Sequence, residues 1–296
     1  MALLCETVVG HSMAELLARR DASTAADMVE LRLDGIADVD VAGALRGRRV
    51  PAIVTCRPAW EGGRFGGTEE ARRRLLTDAL ARGAEYVDIE WRAIRDDAGV
   101  GFGALVQEHA ARVIVSAHDF EGAPADACAL ARAMRGAGGA VIKLAITARR
   151  LSDTLPLVDV ARGGDAVVIG MGDAGVPSRL LASRFASRWT YAGAAVAPGQ
   201  MPAARMIDGF RFRDIGPRTV LYGVAGDRVM ESGVAERFNA AFAEAGVDAV
   251  CVPLIAADVD DLATFKSAFG FAGVVNAGAR ADAIARLVAA WTEQAR

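Results

Sequence analysis

Short apolar runs recur along the first two thirds of the chain, and most of them are separated by stretches with helical spacing. Strands that alternate with helices at intervals of about 20 to 30 residues are typical of parallel strands joined by crossover helices, and eight such strands close a barrel. We therefore predict an α/β protein that begins with a compact (β/α)8 TIM barrel. The eight runs are Leu3–Gly10, Met28–Leu33, Ala52–Cys56, Tyr86–Trp91, Val113–Ala117, Ala140–Ile146, Ala166–Met171 and Trp189–Ala194.

The stretch Glu69–Arg82 is the clearest of the predicted helices. Its apolar side chains recur at helical spacing, which predicts one face buried against the strands. Gly83 can supply the C-terminal cap. The predicted buried face consists of Ala71, Leu75, Leu76, Ala79 and Leu80.

The pattern changes after Gly209, where Phe210–Arg218 forms a charged, aromatic connector that contains a proline. We place a boundary there and predict a barrel over 1–213 and a small α/β module over 219–296. The module is predicted to contain, in order, a strand Val220–Ala225, a helix Ala235–Ala245, a strand Ala249–Pro253, a helix Val259–Phe269, a strand Gly273–Asn276 and a helix Ala281–Gln294.

The charge balance argues against nucleic acid as a partner. The chain has 34 basic and 37 acidic residues and a net charge of −3, without the positive excess that phosphate-backbone binding requires. No uncharged apolar stretch reaches the length of about 18 residues that a membrane span needs. The first ten residues lack the features of a secretion signal. We expect a cytoplasmic protein without a membrane partner.

The four cysteines lie far apart, with no C-x-x-C spacing. This spacing indicates neither a zinc site nor a disulfide framework. We expect small buried side chains in a reducing compartment and no bound metal. The residues are Cys5, Cys56, Cys128 and Cys251.

Lysine is rare in this chain, since only Lys143 and Lys266 occur among the 34 basic residues. Chance retention is one explanation, and Lys266 is interpreted as a surface charge. Lys143, however, lies inside the apolar run Val141–Ile146, where a lysine must be paired or neutral. A neutral amine is a nucleophile, which an arginine cannot be.

Polar residues end several of the predicted strands. Each of them alone is most often a solvated surface group, but the active site of a (β/α)8 barrel forms at the C-terminal ends of the strands. His11 and His109 are interpreted as ordinary surface or core groups. The candidate site residues are Glu30, Arg32, Asp34, Arg57, Glu61, Asp88, Glu90, His118, Asp119, Lys143, Met171, Arg179 and Gln200.

These residue types predict imine chemistry. Burial and nearby cations lower the pKa of an amine, and we expect Arg57 and Arg179 to act in this way on Lys143. An imine with a ketone or aldehyde makes the neighbouring carbon acidic, and His118 is suited to remove its proton. Gln200 and the two arginines would hold an anionic, hydroxylated substrate. The residues alone predict a Schiff-base lyase or aldolase.

The chain from Cys5 to about Gln200 resembles type I 3-dehydroquinate dehydratase. The resemblance depends on ordered motifs on successive strands. They are Glu30–Asp34, Thr55–Arg57 with Glu61–Gly63, Tyr86–Glu90, Ser116–Phe120, Lys143–Ala145, Met171–Gly172 with Gly175 and Ser178–Arg179, and Ala197–Gln200.

The resemblance implies that Lys143 forms an imine with the C3 ketone of 3-dehydroquinate. His118 would remove the C2 proton and protonate the leaving C1 hydroxyl, supported by Glu61. It also implies that no cofactor takes part and that the protein is a homodimer. Substrate contacts would come from Glu30, Arg32, Arg57, Met171, Arg179 and Gln200, with Asp88, Glu90 and Asp119 behind them. Val196 stands where the family usually has a serine, which removes a hydrogen bond from the loop expected to close over the substrate.

The C-terminal module resembles the N-terminal, substrate-binding part of shikimate dehydrogenase, over Tyr222–Gly226, Asn239–Phe242 and Gly246–Pro253. The resemblance is weaker in the rest of the module. Of two substrate-binding serines one remains as Ser232 and the second is Val234, while the catalytic lysine falls on Ala281. We expect no dehydrogenase activity and no nucleotide-binding domain.

Two alternatives to an active dehydratase stay open. One is a non-catalytic sensor or scaffold that retains a dehydroquinate-shaped pocket, against which the lysine and the histidine argue. The other is a different class I aldolase, which would share Lys143 but would not account for the ordered motifs.

Overall fold

A computed structural model of the chain describes residues 1–193, 198–226, 228–278 and residue 286. In these residues eight strands form one sheet and three strands form a second. The first sheet consists of β1 (Leu3–Val8), β2 (Met28–Arg32), β3 (Ala52–Thr55), β4 (Tyr86–Glu90), β5 (Val113–Asp119), β6 (Val141–Thr147), β7 (Ala166–Met171) and β8 (Trp189–Ala192). The second consists of β9 (Val220–Ala225), β10 (Ala249–Leu254) and β11 (Gly273–Asn276).

The eight-stranded sheet is a nearly closed parallel barrel, as predicted. Its order is β7-β6-β5-β4-β3-β2-β1-β8, and β1 pairs in parallel with both β2 and β8. The N–H of Arg188 donates to the carbonyl of Ala166 at 2.9 Å where β7 and β8 meet. The N–H of Val168 donates to Oγ of Ser187 at 3.1 Å beside it. These bonds complete the ring of a (β/α)8 barrel.

Helices follow the strands and begin at residues with capping side chains. Ser12, Thr68, Asp126 and Asp258 each accept the N–H three residues further along, which satisfies a free donor of the first turn. The helices are α1 (Met13–Ala22), α2 (Val41–Leu45), α3 (Glu69–Ala81), α4 (Trp91–Arg95), α5 (Phe102–Glu108), α6 (Ala127–Gly136), α7 (Leu155–Arg162), α8 (Val176–Leu180), α9 (Val234–Glu244) and α10 (Val259–Phe269).

Helix α3 forms where the pattern predicts it, but its buried face is different. Leu76, Ala79 and Leu80 are buried, whereas Ala71 is exposed. Arg72 is fully buried beside them because its guanidinium pairs with Glu90 at the end of β4. Because of this ion pair, the buried face of α3 includes the charged residue Arg72 and not Ala71.

The barrel interior is layered, because inward positions alternate along each strand. An apolar layer at the N-terminal end contains Cys5, Met28, Ile53, Ile114 and Val141. Two positions further along each of these strands the inward residue is polar. These residues are Thr7, Glu30, Thr55, Ser116 and Lys143, all buried. The sequence thus places a polar layer over an apolar floor.

The second sheet, in the order β10-β9-β11, packs against the outside of the barrel. Helix α8 has only five residues, and β10 lies against it. The ring of Phe269 in α10 lies 4.7 Å from that of Phe185, which follows α8. The buried apolar cluster outside the barrel strands therefore continues from the barrel helices into the C-terminal module without a break.

The predicted strands and helices of the module up to residue 276 are present within a residue or two of their expected ends. The predicted helix Ala281–Gln294 lies outside the described residues, except for residue 286. In the ranges that the structure describes, no helix has the length and apolar character needed to cross a membrane.

Candidate active site

A cavity of about 190 Å³ opens at the C-terminal end of the barrel, directly above the polar layer. Every residue predicted to act in catalysis lines it, as does every predicted substrate-binding residue. The lining residues are Thr7, Glu30, Arg32, Arg57, Glu61, Gly62, His118, Phe120, Lys143, Ala145, Ile169, Met171, Arg179, Tyr191, Pro198 and Gln200.

Lys143 on β6 lies at the floor of this cavity and is buried. Its Nζ is 3.1 Å from Oδ2 of Asp88 and 3.4 Å from Oε1 of Glu30. Arg57 and Arg179 line the same cavity as this amine, but its nearest charged partners are carboxylates. The buried lysine is paired, which was one of the two states that burial allowed.

Hydroxyl groups hold the two carboxylates beside Lys143. Thr7 and Thr55 donate to Glu30 at 3.1 and 2.9 Å. Ser116 donates to Asp88 at 2.6 Å. Burial acts to raise the pKa of Glu30, but the charges of Lys143 and Arg32 outweigh it and lower this pKa. Both carboxylates are therefore ionised counter-ions of the lysine.

Arg57 connects the acidic residues of neighbouring strands. Its Nη1 donates to Oε1 of Glu90 at 2.7 Å and to Oγ of Ser116 at 2.9 Å. Its Nη2 is 3.0 Å from Oδ1 of Asp88. Arg72 completes the pairing of Glu90 from outside the barrel. Asp88 and Glu90 thus lie behind the cavity wall, as predicted, and fix the guanidinium of Arg57.

His118 and Glu61 form a hydrogen-bonded pair on one side of the cavity. Oε1 of Glu61 lies 2.9 Å from Nδ1 of His118 and accepts the backbone N–H of His118 at 3.1 Å. Burial raises the pKa of Glu61 to about 8. Burial, together with the charges of Arg57 and Lys143, lowers the pKa of His118 well below its usual value. These shifts favour the neutral form of both groups.

The tautomer of His118 follows from this pairing. Because Oε1 of Glu61 accepts the backbone N–H of His118, we assign it as the acceptor of Nδ1–H as well. Nε2 is then the unprotonated nitrogen. A neutral imidazole with one free lone pair can remove a proton from a bound molecule.

The strand register sets the spacing between the imidazole and the amine. Ser116 on β5 is paired with Lys143 on β6. His118 lies two residues beyond Ser116, which places it about 6.6 Å further along the strand direction at about 3.3 Å per residue. The amine and the imidazole can therefore lie on either side of one small ring.

Arg179 on α8 supplies a buried positive charge to the lining of the cavity. Its Nη2 donates to the carbonyl of Pro198 at 3.3 Å, while Nε and Nη1 have no partner among the described residues. Burial lowers the pKa of this guanidinium to about 10, so it stays charged at pH 7. Because buried donors are normally paired, the free ones indicate a place for an anion.

Gln200 reaches the cavity from the loop after β8. Its Nε2 donates to Oγ1 of Thr7 at 3.2 Å, and its Oε1 has no partner in the part of the chain that is described. Gly199 makes the turn possible, because its φ of +76° favours glycine and a Cβ would lie 2.6 Å from the carbonyl of Gly172. Val196 of the same loop lies outside the described residues.

The geometry agrees with the comparisons to known proteins. The family model described as type I 3-dehydroquinase matches residues 4–217. The chain belongs to the type I 3-dehydroquinase family. A 3-dehydroquinate dehydratase of Methanothrix thermoacetophila is 35% identical over 193 residues, covering 64% of this chain and 82% of that protein. The solved 3-dehydroquinate dehydratase of Geobacillus kaustophilus has a TM-score of 0.61 at 25% identity, covering 70% of this chain and 88% of that one.

A longer relative extends the likeness into the C-terminal module. The chloroplastic bifunctional 3-dehydroquinate dehydratase/shikimate dehydrogenase of Arabidopsis thaliana is 31% identical over 293 residues. The alignment covers 92% of this chain, which is more than the range 4–217, but only 47% of the Arabidopsis protein. The chain therefore spans about half the length of that relative, and the alignment extends beyond the 3-dehydroquinase range into the C-terminal module.

Two predicted residues of this 3-dehydroquinase form hydrogen bonds with residues close to them in the sequence. The Oδ1 of Asp119 accepts the N–H groups of Glu121 and Gly122 in its own loop. Its predicted place behind the substrate contacts stays a prediction. Arg32 lines the cavity, but its guanidinium is already held by Asp34 through bonds of 2.7 and 2.9 Å.

Sequence reasoning missed several residues of this 3-dehydroquinase site. Thr7 and Tyr191 line the cavity, and Thr55 and Ser116 orient its carboxylates. Alternation along the strands could have identified two of them as inward-facing. Thr7 lies two residues after Cys5, and Tyr191 lies two residues after Trp189. Phe120 also lines the cavity, although it is half exposed and follows the end of β5.

Proposed function

We propose that this chain converts 3-dehydroquinate to 3-dehydroshikimate and water through a Schiff base on Lys143. One observation carries the proposal: a buried amine and an imidazole, those of Lys143 and His118, face the same cavity from adjacent strands. The first can form an imine and the second can move a proton at the neighbouring carbon. Family membership supports the substrate.

We propose that Arg179 binds the substrate carboxylate through Nε and Nη1. Gln200 and Arg32 would contact ring hydroxyls from the cavity wall, and Met171 would pack against the ring. Arg57 would act chiefly by fixing Asp88 and Glu90 behind the cavity. This arrangement directs the C3 ketone towards Lys143.

Imine formation leaves the charge of the site unchanged. The ammonium of Lys143 and the ketone yield a protonated imine and one water, so Glu30 and Asp88 keep a positive partner throughout. The attacking amine must first lose a proton, and these carboxylates or His118 can accept it. The positive charge on nitrogen therefore offsets the free-energy cost of burying the two carboxylates both before and after condensation.

Elimination then takes place at C2 and C1. Nε2 of His118 takes the C2 proton, and the electron pair of that C–H bond moves into the imine to form an enamine. The enamine returns these electrons as the C1–O bond breaks, and His118 gives its proton to the departing hydroxyl. Water hydrolyses the conjugated imine to the product and free Lys143. Two waters form and one is consumed, so one water is released overall.

The test is to add 3-dehydroquinate and follow the ultraviolet absorbance of the conjugated enone. We expect it to rise with the wild type and to stay flat with Lys143→Arg. A sensor would bind the substrate without this signal, and an aldolase would produce a cleavage product instead. No absorbance from folded wild type would overturn the proposal.

We also propose that the protein is a cytoplasmic homodimer without nucleic-acid or membrane partners. The net charge of −3 and the four free cysteines support this. The division into a barrel over 1–213 and a module over 219–296 belongs to the same proposal, supported by the separate sheets. Light scattering on purified protein would test the dimer, and a monomer at assay concentration would overturn it.

A further inference from the structure

The C-terminal module contacts the turn that follows the strand of Lys143. Asp261 in α10 is buried, and its carboxylate accepts the N–H groups of Leu151 and Ser152, both at 2.9 Å. It also accepts the N–H of Ala257 at 3.1 Å. Arg150 of the same turn pairs with Asp258 at 2.8 Å. A buried carboxylate that accepts three N–H bonds fixes the turn firmly.

The same turn also contacts the loop after β5, which contains Phe120, Glu121 and Gly122. The guanidinium of Arg149 donates to the carbonyl of Glu121 at 2.8 Å. The backbone N–H groups of Arg149 and Arg150 both donate to Asp153 at 2.9 Å, which fixes the start of the turn. Asp119 closes the loop by accepting the N–H of Glu121. Hydrogen bonds to Arg149 and to Asp119 thus fix the position of this loop.

The loop after β5 contacts His118 and the residue that directly follows Glu61. The ring of Phe120 is stacked on that of His118, with 6.1 Å between centroids and 13° between planes. Phe120 also packs against Gly62, where an added Cβ would lie 2.6 Å from the ring. Gly62 directly follows Glu61. A shift of Phe120 would therefore move His118 relative to Glu61.

We propose that the C-terminal module sets the geometry of proton transfer, with Asp261 as a positioning residue that acts through Arg149 and Phe120 on the His118–Glu61 pair. This inference rests on the proposed function. It gives the module a role in a dehydratase that needs none of the chemistry of shikimate dehydrogenase. It also accounts for Asp119, which shapes the loop.

The decisive variant is Asp261→Asn. Its amide nitrogen cannot accept an N–H, so at least one of the three bonds is lost and the turn shifts. A misplacement of about 1 Å at the reacting groups costs up to about a hundredfold in rate. We expect kcat to fall about tenfold or more with KM nearly unchanged. Borohydride trapping at Lys143 should persist, since Glu30 and Asp88 hold this lysine inside the barrel.

An isotope effect separates positioning from a merely structural role. With substrate deuterated at C2, slower proton removal makes that step more rate-limiting. We therefore expect a larger isotope effect on kcat in Asp261→Asn than in the wild type. A fall in the folded fraction alone would lower the rate without changing the isotope effect.

Two further variants complete the test. Asp260→Asn removes the same charge from an exposed neighbour on α10 whose carboxylate holds no backbone N–H, and it should behave as wild type. Arg149→Met removes the exposed side chain that joins the turn to Glu121, and should raise the isotope effect even if Asp261→Asn does not fold.

The outcomes are distinguishable. Wild type without turnover or trapping would overturn the proposed function and this inference with it. Active wild type, with both Asp261→Asn and Arg149→Met indistinguishable from Asp260→Asn, would overturn the inference alone. If Asp261→Asn does not fold, an unchanged isotope effect in Arg149→Met overturns it.

Discussion

The ammonium of Lys143 lies 4.4 Å from the centroid of the Tyr191 ring. An aromatic face attracts a cation and contributes about 0.5 to 2 kcal/mol, more where water is excluded. The ring therefore favours a positive nitrogen at this position, whether it is an ammonium or a protonated imine. Together with Glu30 and Asp88 it would stabilise the protonated imine of the proposed mechanism.

Borohydride is expected to inactivate the enzyme when substrate or product is present. It reduces an imine to a stable amine, and the proposed intermediate offers that target at Lys143. Mass spectrometry of the treated protein should place the adduct on the peptide that contains Lys143. Lys143→Arg should lose trapping and turnover together.

Lys266→Arg is the matched control for this experiment, because Lys266 is exposed on α10. It should retain both trapping and turnover. An adduct on Lys266, or no adduct at all, would show that the Schiff-base assignment is wrong.

Arg179→Met is expected to raise KM by about tenfold to a hundredfold, since hydrogen bonds to charged groups contribute about 1.5 to 3 kcal/mol. The free energy of unfolding should not fall, because two of the guanidinium donors have no partner among the described residues. Steady-state kinetics and urea denaturation measure the two effects. Arg162→Met, at an exposed position of α7, is the control. An unchanged KM would remove Arg179 from the carboxylate site.

The strands and most site residues could be predicted from sequence because both follow from alternation. A barrel strand that carries an inward polar residue two positions after an apolar one places it at the open end, as Met28 and Glu30 illustrate. By the same rule the side chain of Asp119, which follows His118 directly, faces the other way.

Other features depend on pairs that are distant in sequence. Arg72 looks like a surface residue of a helix until Glu90 is placed beside it. Asp261 contacts Leu151 across 110 positions, and no local pattern indicates such a contact. The carboxylate pairing of Lys143 likewise depends on Glu30 and Asp88 from other strands.

Stability should depend on pH through Glu61. Burial raises its pKa from 4.5 to about 8. The unfolded chain releases this proton first as pH rises, so the free energy of unfolding should fall between these two values, by at most about 1.4 kcal/mol per pH unit. In Glu61→Gln the side chain keeps nearly the same shape but has no titrating proton.

Urea denaturation of wild type and Glu61→Gln between about pH 5 and pH 8 isolates this contribution. The stability of Glu61→Gln relative to the wild type should increase with pH. A constant difference would show that Glu61 is ionised in the folded protein over this whole range.

Chelators are expected to leave the dehydratase rate unchanged. In the proposed mechanism the protonated imine withdraws the electrons, which is the task that a Lewis-acid metal would otherwise perform. The rate should be measured before and after dialysis against EDTA. Activity lost in EDTA and restored by a divalent ion would contradict the mechanism.

The chain is expected not to oxidise shikimate with NADP. By the resemblance to shikimate dehydrogenase, Val234 replaces a substrate-binding serine and Ala281 the catalytic lysine. Val234 is fully buried, and the hydroxyl of the remaining Ser232 donates to the carbonyl of Val229 at 2.9 Å. NADPH formation should be followed in a sample whose dehydratase activity shows that it is folded. Turnover of shikimate would contradict this prediction.

The contact between Phe185 and Phe269 concerns folding as well as the site. Phe185 follows helix α8 of the barrel and Phe269 ends helix α10 of the C-terminal module, yet the two rings lie in one uninterrupted apolar cluster. Separating the two parts would expose this surface to water, at a cost of about 25 cal/mol for each Å² of apolar area. We therefore expect the proposed boundary near residue 213 not to separate two units of cooperative unfolding. A peptide-bond cut in the connector would leave both pieces held together.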